Sequence, residues 1–167
     1  MERLVPDAKL RLYLDTSIPS AYYDTSKPVR QLITQKWFEH DAREYDLHIS
    51  VVTVEEIERV RNAVKKERLQ QLLKTYNMTI LPLTDAAREL ADEYMRKGAI
   101  PLSEPEDAYH IAIASVHQID ALASWNFSHI VSINPIRKIH EINHRQKLSA
   151  IEIGSLELFG GAKYGNI

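Results

Sequence analysis

Short apolar runs of strand length alternate along this chain with longer segments in which apolar residues recur at helical spacing. Such an alternation is typical of βαβ units, because a crossover helix lets two successive strands lie parallel. We therefore predict an α/β fold with a mostly parallel sheet. The length suits a single domain over residues 1–167. We expect its core at about residues 10–150 and a flexible tail at about 154–167, which contains adjacent glycines.

The strands are predicted at residues 10–14, 47–52, 78–81, 121–124, 130–132 and 151–153, the last as an edge strand. Helices are predicted at about residues 28–44, 65–75 and 135–147, and a short one after residue 17. Capping residues mark where others begin, since a side-chain oxygen can satisfy a free N–H group of the first turn. Thr53 is expected to cap a helix that ends near residue 62, and Thr84 one that ends near residue 98. Residues 103–106, with the sequence SEPE, indicate a capping box before a helix that reaches about residue 118.

The composition narrows the kinds of site that the chain can carry. Cysteine is absent, so a metal ion would need oxygen or imidazole ligands. No stretch approaches the roughly 20 apolar residues of a membrane helix, so we expect a cytoplasmic protein with no membrane partner. The net charge of −2 argues weakly against nucleic-acid binding. A carboxylate cluster would lower that total and leave basic surface intact, so net charge does not decide the matter.

Asp15 stands directly after the first predicted strand. In open parallel sheets, ligands bind beyond the carboxyl ends of the strands, so this position suits a functional acid. An aspartate here can equally begin the next helix by accepting a hydrogen bond from the first turn. The position alone does not separate the two roles.

Glu56 lies on the border of the buried face of its predicted helix, whereas Glu55 points away from that face. The face is defined by four apolar residues at helical spacing, Val54, Ile57, Val60 and Val64. A carboxylate at such a border loses hydration and needs a compensating partner. Taken alone, the position favours the simpler alternative of a surface glutamate whose stem covers apolar neighbours.

Asp107 gives the clearest local signal, because the helix that follows it is apolar nearly all round and should be buried. An aspartate in a first turn gains about 0.3–1 kcal/mol from the helix dipole. Desolvating an unpaired carboxylate costs several kcal/mol, so the dipole does not account for an acid at this place. We therefore predict a functional role for Asp107 ahead of simple capping.

The three acids follow strands or open helices, so they can gather at one edge of the sheet. Carboxylates that converge within a few ångströms repel one another unless a cation lies between them. Hard divalent ions such as Mg²⁺ or Mn²⁺ prefer oxygen ligands of this kind. Such a site can activate water and neutralise charge on a phosphodiester.

Four segments together resemble the motifs of PIN domains, including the toxin half of bacterial VapBC toxin–antitoxin pairs. They are LYLDTS at 12–17, ISVVTVEEI at 49–57, EDAYHIAIA at 106–114 and SWNF at 124–127. Each is weak alone, and their ordered set is fairly specific. The motif acids fall on Asp15, Glu56 and Asp107, whereas Asn126 stands where the family often has an aspartate.

The resemblance implies a five-stranded parallel sheet flanked by helices and Mg²⁺- or Mn²⁺-dependent endonucleolytic cleavage of RNA. It implies that Asp15 and Asp107 bind the metal, with Glu56 binding it directly or through water. Asn126 would be part of the catalytic set without adding charge. The alternative is that Asn126 is a turn residue that only holds its own backbone. Thr16 or Ser17 would position a substrate phosphate, or would only cap a helix.

The resemblance also implies partners: an antitoxin protein whose tail occupies the active-site groove, and a second copy of the chain in a homodimer. Two alternatives to the endoribonuclease remain. A PIN-like module that binds RNA or protein without cutting is favoured by Asn126 alone. A receiver-like signalling domain needs an acidic pair near the end of the first strand and a late strand-end lysine, and the sequence shows neither.

Overall fold

The computed structural model describes residues 8–160, in which five parallel strands form one sheet flanked by helices. The strands are β1 (Arg11–Leu14), β2 (Asp46–Ser50), β3 (Thr79–Leu81), β4 (Ala121–Ala123) and β5 (Glu152–Gly154). Their order across the sheet is β3-β2-β1-β4-β5, so β1 is central, and all four neighbouring pairs are parallel. The predicted α/β class, the parallel sheet and the edge strand near residue 152 are confirmed.

Seven α-helices connect and cover the strands in this part of the chain. They are α1 (Ser17–Tyr22), α2 (Pro28–His40), α3 (Val51–Glu58), α4 (Ala63–Thr75), α5 (Asp85–Arg96), α6 (Pro105–Val116) and α7 (Ile133–Arg145). Two short 3₁₀ turns, Ala42–Glu44 and Leu156–Phe159, complete the described elements. Within residues 8–160, no helix combines the length and the apolar character that a bilayer-spanning segment requires.

Alternate side chains of β1 enter two separate apolar cores. Leu12 and Leu14 pack in the core that contains α1 and α2, whereas Tyr13 packs in the core that contains α5, α6 and α7. All three side chains are fully buried. A central strand covered on both faces is expected in a parallel sheet, because its crossover helices cover both sides.

The junction between β2 and α3 differs from the prediction. The strand ends at Ser50 and the helix begins at Val51, so Thr53 is a buried residue inside α3 and not its cap. The Ser50 hydroxyl accepts a hydrogen bond from the Val52 N–H at 3.2 Å. Val51 and Val52 are apolar and β-branched, so composition favoured a longer strand, and the serine cap sets the boundary instead.

Two further predictions are wrong. Residues 130–132 form a turn and not a strand, because the N–H groups of Ile130 and Val131 both donate to the carbonyl of Asn126, at 3.1 and 2.9 Å. The capping box at residues 103–106 does not form either. Pro105 is the first residue of α6 and Glu104 takes the N-cap position without a side-chain cap, since a proline at the first helical position fixes the start.

The end of the described chain packs on the sheet, contrary to the flexible tail predicted from residue 154 onward. Leu156 and Phe159 are buried in the same core as α2. The carbonyl of Phe159 accepts hydrogen bonds from the Trp37 indole at 3.1 Å and from the Tyr45 hydroxyl at 2.9 Å. The remainder of that prediction, residues 161–167, lies outside the described residues.

A buried polar network joins α5, α6 and α7, and its loss should destabilise the fold. The Tyr94 hydroxyl donates to Asn143 Oδ1 and lies 3.3 Å from Ser115 Oγ, while the Asn143 amide donates to Ser115 Oγ at 3.0 Å. We expect Tyr94→Phe to lower the free energy of unfolding by about 1–3 kcal/mol, since it leaves the buried Asn143 oxygen unsatisfied. Urea denaturation measures this change. Tyr109→Phe, at a half-buried ring on α6, is the matched control, and equal stability of the two variants would contradict the prediction.

Candidate active site

The carboxyl ends of β1, β2 and β4 meet at one edge of the sheet, because β1 lies between the other two strands. Asp15 follows β1, Ser50 ends β2 and Ser124 follows β4. The N–H of Asp15 donates to the carbonyl of Ala123 at 3.2 Å, which ties the first acid to the neighbouring strand. This edge is the usual ligand-binding side of an open parallel sheet.

Asp15 is a buried carboxylate with a side chain held from two directions. Its Oδ1 accepts hydrogen bonds from the Ser17 N–H at 3.0 Å and from the Ser17 hydroxyl, and its Oδ2 accepts one from the Ser124 hydroxyl. Burial raises the pKa of Asp15, and the nearby His110 together with these hydrogen bonds opposes the rise. Asp15 therefore accepts a hydrogen bond from the first residue of α1, as a capping residue would, and its carboxylate is also desolvated.

Asp107 lies in the first turn of α6 and is bound by Asn126. Its Oδ2 accepts a hydrogen bond from the Asn126 amide at 3.0 Å and lies 3.4 Å from His129 Nδ1. Burial and the charge of Asp15 raise the pKa of Asp107 to about 6. The Asn126 Oδ1 accepts from the His129 N–H at 2.9 Å, so Asn126 holds its own turn and orients Asp107 at the same time.

Glu56, on α3, points to a buried histidine of α6. Its Oε1 lies 2.9 Å from His110 Nε2, and the Tyr13 hydroxyl lies 2.6 Å from His110 Nδ1. Burial lowers the pKa of His110, but the bond with Glu56 and the charge of Asp15 outweigh it, so the net pKa is raised. The half-exposed Glu56 therefore has the partner that its position on the border of the helix required.

His110 contacts the candidate site, although the sequence analysis did not name it as a site residue. His110 is only 2% exposed and interacts electrostatically with Asp15, Glu56 and Asp107. The signal was the spacing: His110 follows Asp107 by three residues on one helix, which places both side chains on the same face. His117 instead contacts the carbonyl of Ile113, 2.9 Å away, in its own helix.

The hydroxyl groups of Thr16 and Ser17 have different hydrogen-bond partners. Ser17 Oγ donates to Asp15 and accepts from the N–H of Trp125 at 2.8 Å, so it holds the site together. Thr16 Oγ1 lies 3.3 Å from His110 Nε2 and 3.4 Å from Thr53 Oγ1, at the rim of the acids. Thr16 is therefore the better placed of the two to contact a substrate.

A second arrangement of ligand atoms overlaps the first at Asp107. Within residues 8–160, Glu104, Asp107 and His129 are the trio whose ligand atoms all lie within 4.8 Å of one another. Asp15 and Glu56 do not belong to this trio, and His110 is the residue that interacts electrostatically with all three predicted acids. The sequence offered no signal for His129, and Glu104 was noted only as part of a capping box.

A family model described as PIN domain matches residues 12–126, which is more than half of the chain. The chain belongs to the PIN domain family. The resemblance found in the four motifs is thereby confirmed. No curated protein matches the chain in sequence.

Three solved structures share the fold of this PIN domain. FitAcB from Neisseria gonorrhoeae is 18% identical and covers 87% of this chain and 98% of its own, with a TM-score of 0.53. VapBC2 from Rickettsia felis, bound to a DNA fragment from its promoter, is 14% identical with coverages of 87% and 98% and a TM-score of 0.51. FitAB bound to the IR36 DNA fragment is 18% identical with coverages of 87% and 94% and a TM-score of 0.56. At such identities the likeness concerns the fold.

The donor set of this PIN domain fits a hard divalent cation. Asp15, Glu56 and Asp107 supply carboxylate oxygens, and cysteine is absent. A carboxylate has about four lone-pair positions, and the hydrogen bonds on Asp15 leave room for a further ligand interaction. Burial raises the pKa of Asp15 and of Asp107, and a cation bound beside them would favour their ionised forms.

Proposed function

We propose that this PIN domain is an Mg²⁺- or Mn²⁺-dependent endoribonuclease that hydrolyses RNA phosphodiester bonds. The observation that carries the proposal is the position of Asp15 and Asp107, two acids whose pKa values are raised by burial at the ligand-binding edge of the sheet. Proteins of the PIN domain family are generally nucleases, and this chain keeps three of the four acidic motif positions. The retained acids favour an enzyme.

The chain's own residues would prepare the site for water to attack phosphorus and break a P–O bond. Asp15, Asp107 and Glu56 would hold the cation, which when bound supplies Lewis-acid stabilisation of the charge on the phosphodiester. Ser17 and Ser124 fix the Asp15 carboxylate from both sides. Such fixed ligands reduce the reorganisation that binding and catalysis would otherwise require.

Asn126, His110 and Thr16 would have supporting roles. Asn126 orients Asp107 by donating to its Oδ2, and His110 orients Glu56. Thr16 is a half-buried residue whose hydroxyl lies beside His110 and would donate to a phosphate oxygen. The alternative of a module that binds without cutting rests on the missing charge at Asn126.

We also propose that the protein is the toxin of a cytoplasmic toxin–antitoxin pair. The structures that share its fold bear the names FitAB and VapBC2, and an antitoxin protein is the partner that this likeness suggests. A homodimer is the second assembly that we expect. Leu32 of α2 is 53% exposed and is a candidate for that interface.

Metal removal and readdition test the proposed activity. The purified protein should cut single-stranded RNA in Mg²⁺ or Mn²⁺, lose this activity in EDTA, and regain it when the ion is restored in excess. DNA of the same sequence tests whether the substrate is specifically RNA. An Asp107→Asn preparation made in parallel must not cut, since residual cleavage would indicate a contaminant. Cleavage that persists in EDTA would refute the proposal.

A further inference from the structure

Phe127 lines a groove next to the acidic site. Its side chain is more exposed to solvent than that of any other phenylalanine, tyrosine or tryptophan of residues 8–160. Phe127 is 47% exposed and directly follows Asn126, whereas Trp125 on the other side of Asn126 is buried at 4% exposure. The groove has a volume of about 360 Å³. Phe127 and the 71% exposed Val29 line this groove together, and a contiguous exposed apolar surface beside a polar site is typical of a place where a ligand binds.

The exposed ring stands on a fixed support. The Trp125 indole donates to Thr34 Oγ1 at 3.0 Å, and the centres of the Trp125 and Phe127 rings lie 6.1 Å apart. The guanidinium carbon of Arg30 lies 5.2 Å from the centre of the Trp125 ring and 5.8 Å from that of Phe127. Cation–π contacts of this kind hold the arginine over both rings.

Trp125 and Asn126, the two residues before Phe127, are both connected to the acids by hydrogen bonds. The N–H of Trp125 donates to the Ser17 hydroxyl, which in turn donates to Asp15. The Asn126 amide donates to Asp107. Phe127 therefore directly follows Asn126, which contacts Asp107, one of the proposed metal ligands.

The charges of the groove favour a nucleic acid over a protein segment. Lys27 and Arg30 line it together with one acid, Glu157, and the rest of the lining is apolar. The basic side chains of Lys27 and Arg30 suit a phosphate group of the backbone, and the exposed ring of Phe127 suits the face of one base. Proteins bind single strands with this combination, in which basic side chains follow the backbone and aromatic rings or guanidinium planes stack on unpaired bases.

We infer that Phe127 and Arg30 form a subsite in which the Phe127 ring stacks on an unpaired base next to the cleavage position. This inference rests on the proposed nuclease function. A base within a duplex already stacks on its neighbours and does not present its face to the groove. The neighbouring Trp125 ring is buried and cannot present its face to a base, whereas the Phe127 ring is 47% exposed.

The test compares Phe127→Ala with Phe127→Trp in an Asp107→Asn background that leaves the RNA intact. The probes are a fluorescein-labelled short single-stranded RNA and the duplex formed with its complement, followed by fluorescence anisotropy. Loss of one stacked base should raise the Kd for the single strand about 5- to 150-fold, and the loss should persist at high salt because stacking is not ionic. Phe127→Trp should bind the single strand like its parent, and duplex binding should not change in either variant.

The same substitution in the active enzyme should raise KM and leave kcat nearly unchanged, since the stacking holds substrate and transition state alike. Ile80→Ala, at a 53% exposed residue of β3, is the matched control and should change neither value. Cleavage by the native protein with equal RNA binding in Phe127→Ala would overturn the subsite and leave the nuclease standing. If the native protein neither binds nor cuts RNA, both proposals fall. A smaller species in sedimentation for Phe127→Ala, with RNA binding unchanged, would assign the groove to a protein interface and reject the subsite.

Discussion

Replacing Asp107 with asparagine is expected to abolish RNA cleavage and, in the same protein, to stabilise the metal-free fold. Cleavage should fall by about 100-fold or more, because loss of a direct metal ligand should exceed the roughly 10- to 100-fold cost of losing an outer partner. Stability should rise because the substitution removes a buried charge that Asp15 opposes. The two effects have opposite signs, which a merely damaged variant would not show.

The sign of the stability change follows from the direction of the pKa shift. The pKa of Asp107 is raised from 3.8 to about 6 in the folded protein, so the folded state binds this proton more tightly than the unfolded state does. Stability from this group is therefore greatest below about pH 4 and is lost as the pH rises through about 6. The advantage of Asp107→Asn should be present at pH 7.5 and shrink on acidification to pH 4.

Thermal unfolding in EDTA measures this change. We expect a gain of the order of 1–2 kcal/mol at pH 7.5, or roughly 2–8 °C in Tm for a protein of this size. Mn²⁺ should then raise the Tm of the native protein and have little effect on the variant. Asp92→Asn, at an exposed position of α5, controls for a general change in net charge. An Asp107→Asn protein that melts below the native one in EDTA would contradict the prediction.

Removing the imidazole of His110 is expected to weaken metal binding through Glu56. His110→Leu leaves the Tyr13 hydroxyl and the Glu56 carboxylate without the contacts at 2.6 and 2.9 Å. The freed Glu56 side chain is 27% exposed and can turn toward solvent, where hydration favours it. We expect the affinity for Mn²⁺ to fall about 10- to 100-fold, the usual cost of losing a residue that orients a ligand.

A conservative substitution separates positioning from packing. His110→Gln keeps a donor within reach of Glu56 and should recover part of the Mn²⁺ affinity, whereas His110→Leu should not. Isothermal titration calorimetry with Mn²⁺ gives the affinity independently of cleavage, and urea denaturation gives the stability of each variant. If both variants bind Mn²⁺ like the native protein, His110 does not position Glu56.

The carboxyl edge of the sheet could be predicted because it depends on local patterns. The end of β1 and the apolar surface of α6 are visible in the sequence, and each placed one acid, Asp15 and Asp107. Glu56 was placed on a half-buried border correctly even though Val64, used to define that border, belongs to α4 and is 59% exposed. The helical periodicity of the apolar residues was therefore sufficient to place Glu56, although α3 is shorter than predicted.

The partners of the acids could not be predicted, because they come from distant parts of the chain. Ser124 binds Asp15 from 109 residues away, and His110 reaches Glu56 across 54 residues. The cap at Ser50 depends on one hydrogen bond and the turn at residues 126–132 on a few, and these bonds compete with residues that are good strand formers. The packing of residues 156–159 also depends on a tertiary contact, the carbonyl of Phe159 with Trp37.

The central place of β1 has a consequence for synthesis of the protein. β1 leaves the ribosome well before its neighbour β4 and the Asn126 turn, which are made more than a hundred residues later. The acidic site therefore cannot assemble before residues 124–126 have been made, since Asp15 lacks Ser124 and Asp107 lacks Asn126 until then. The order of the strands alone thus keeps the site incomplete while the earlier part of the chain is being synthesised.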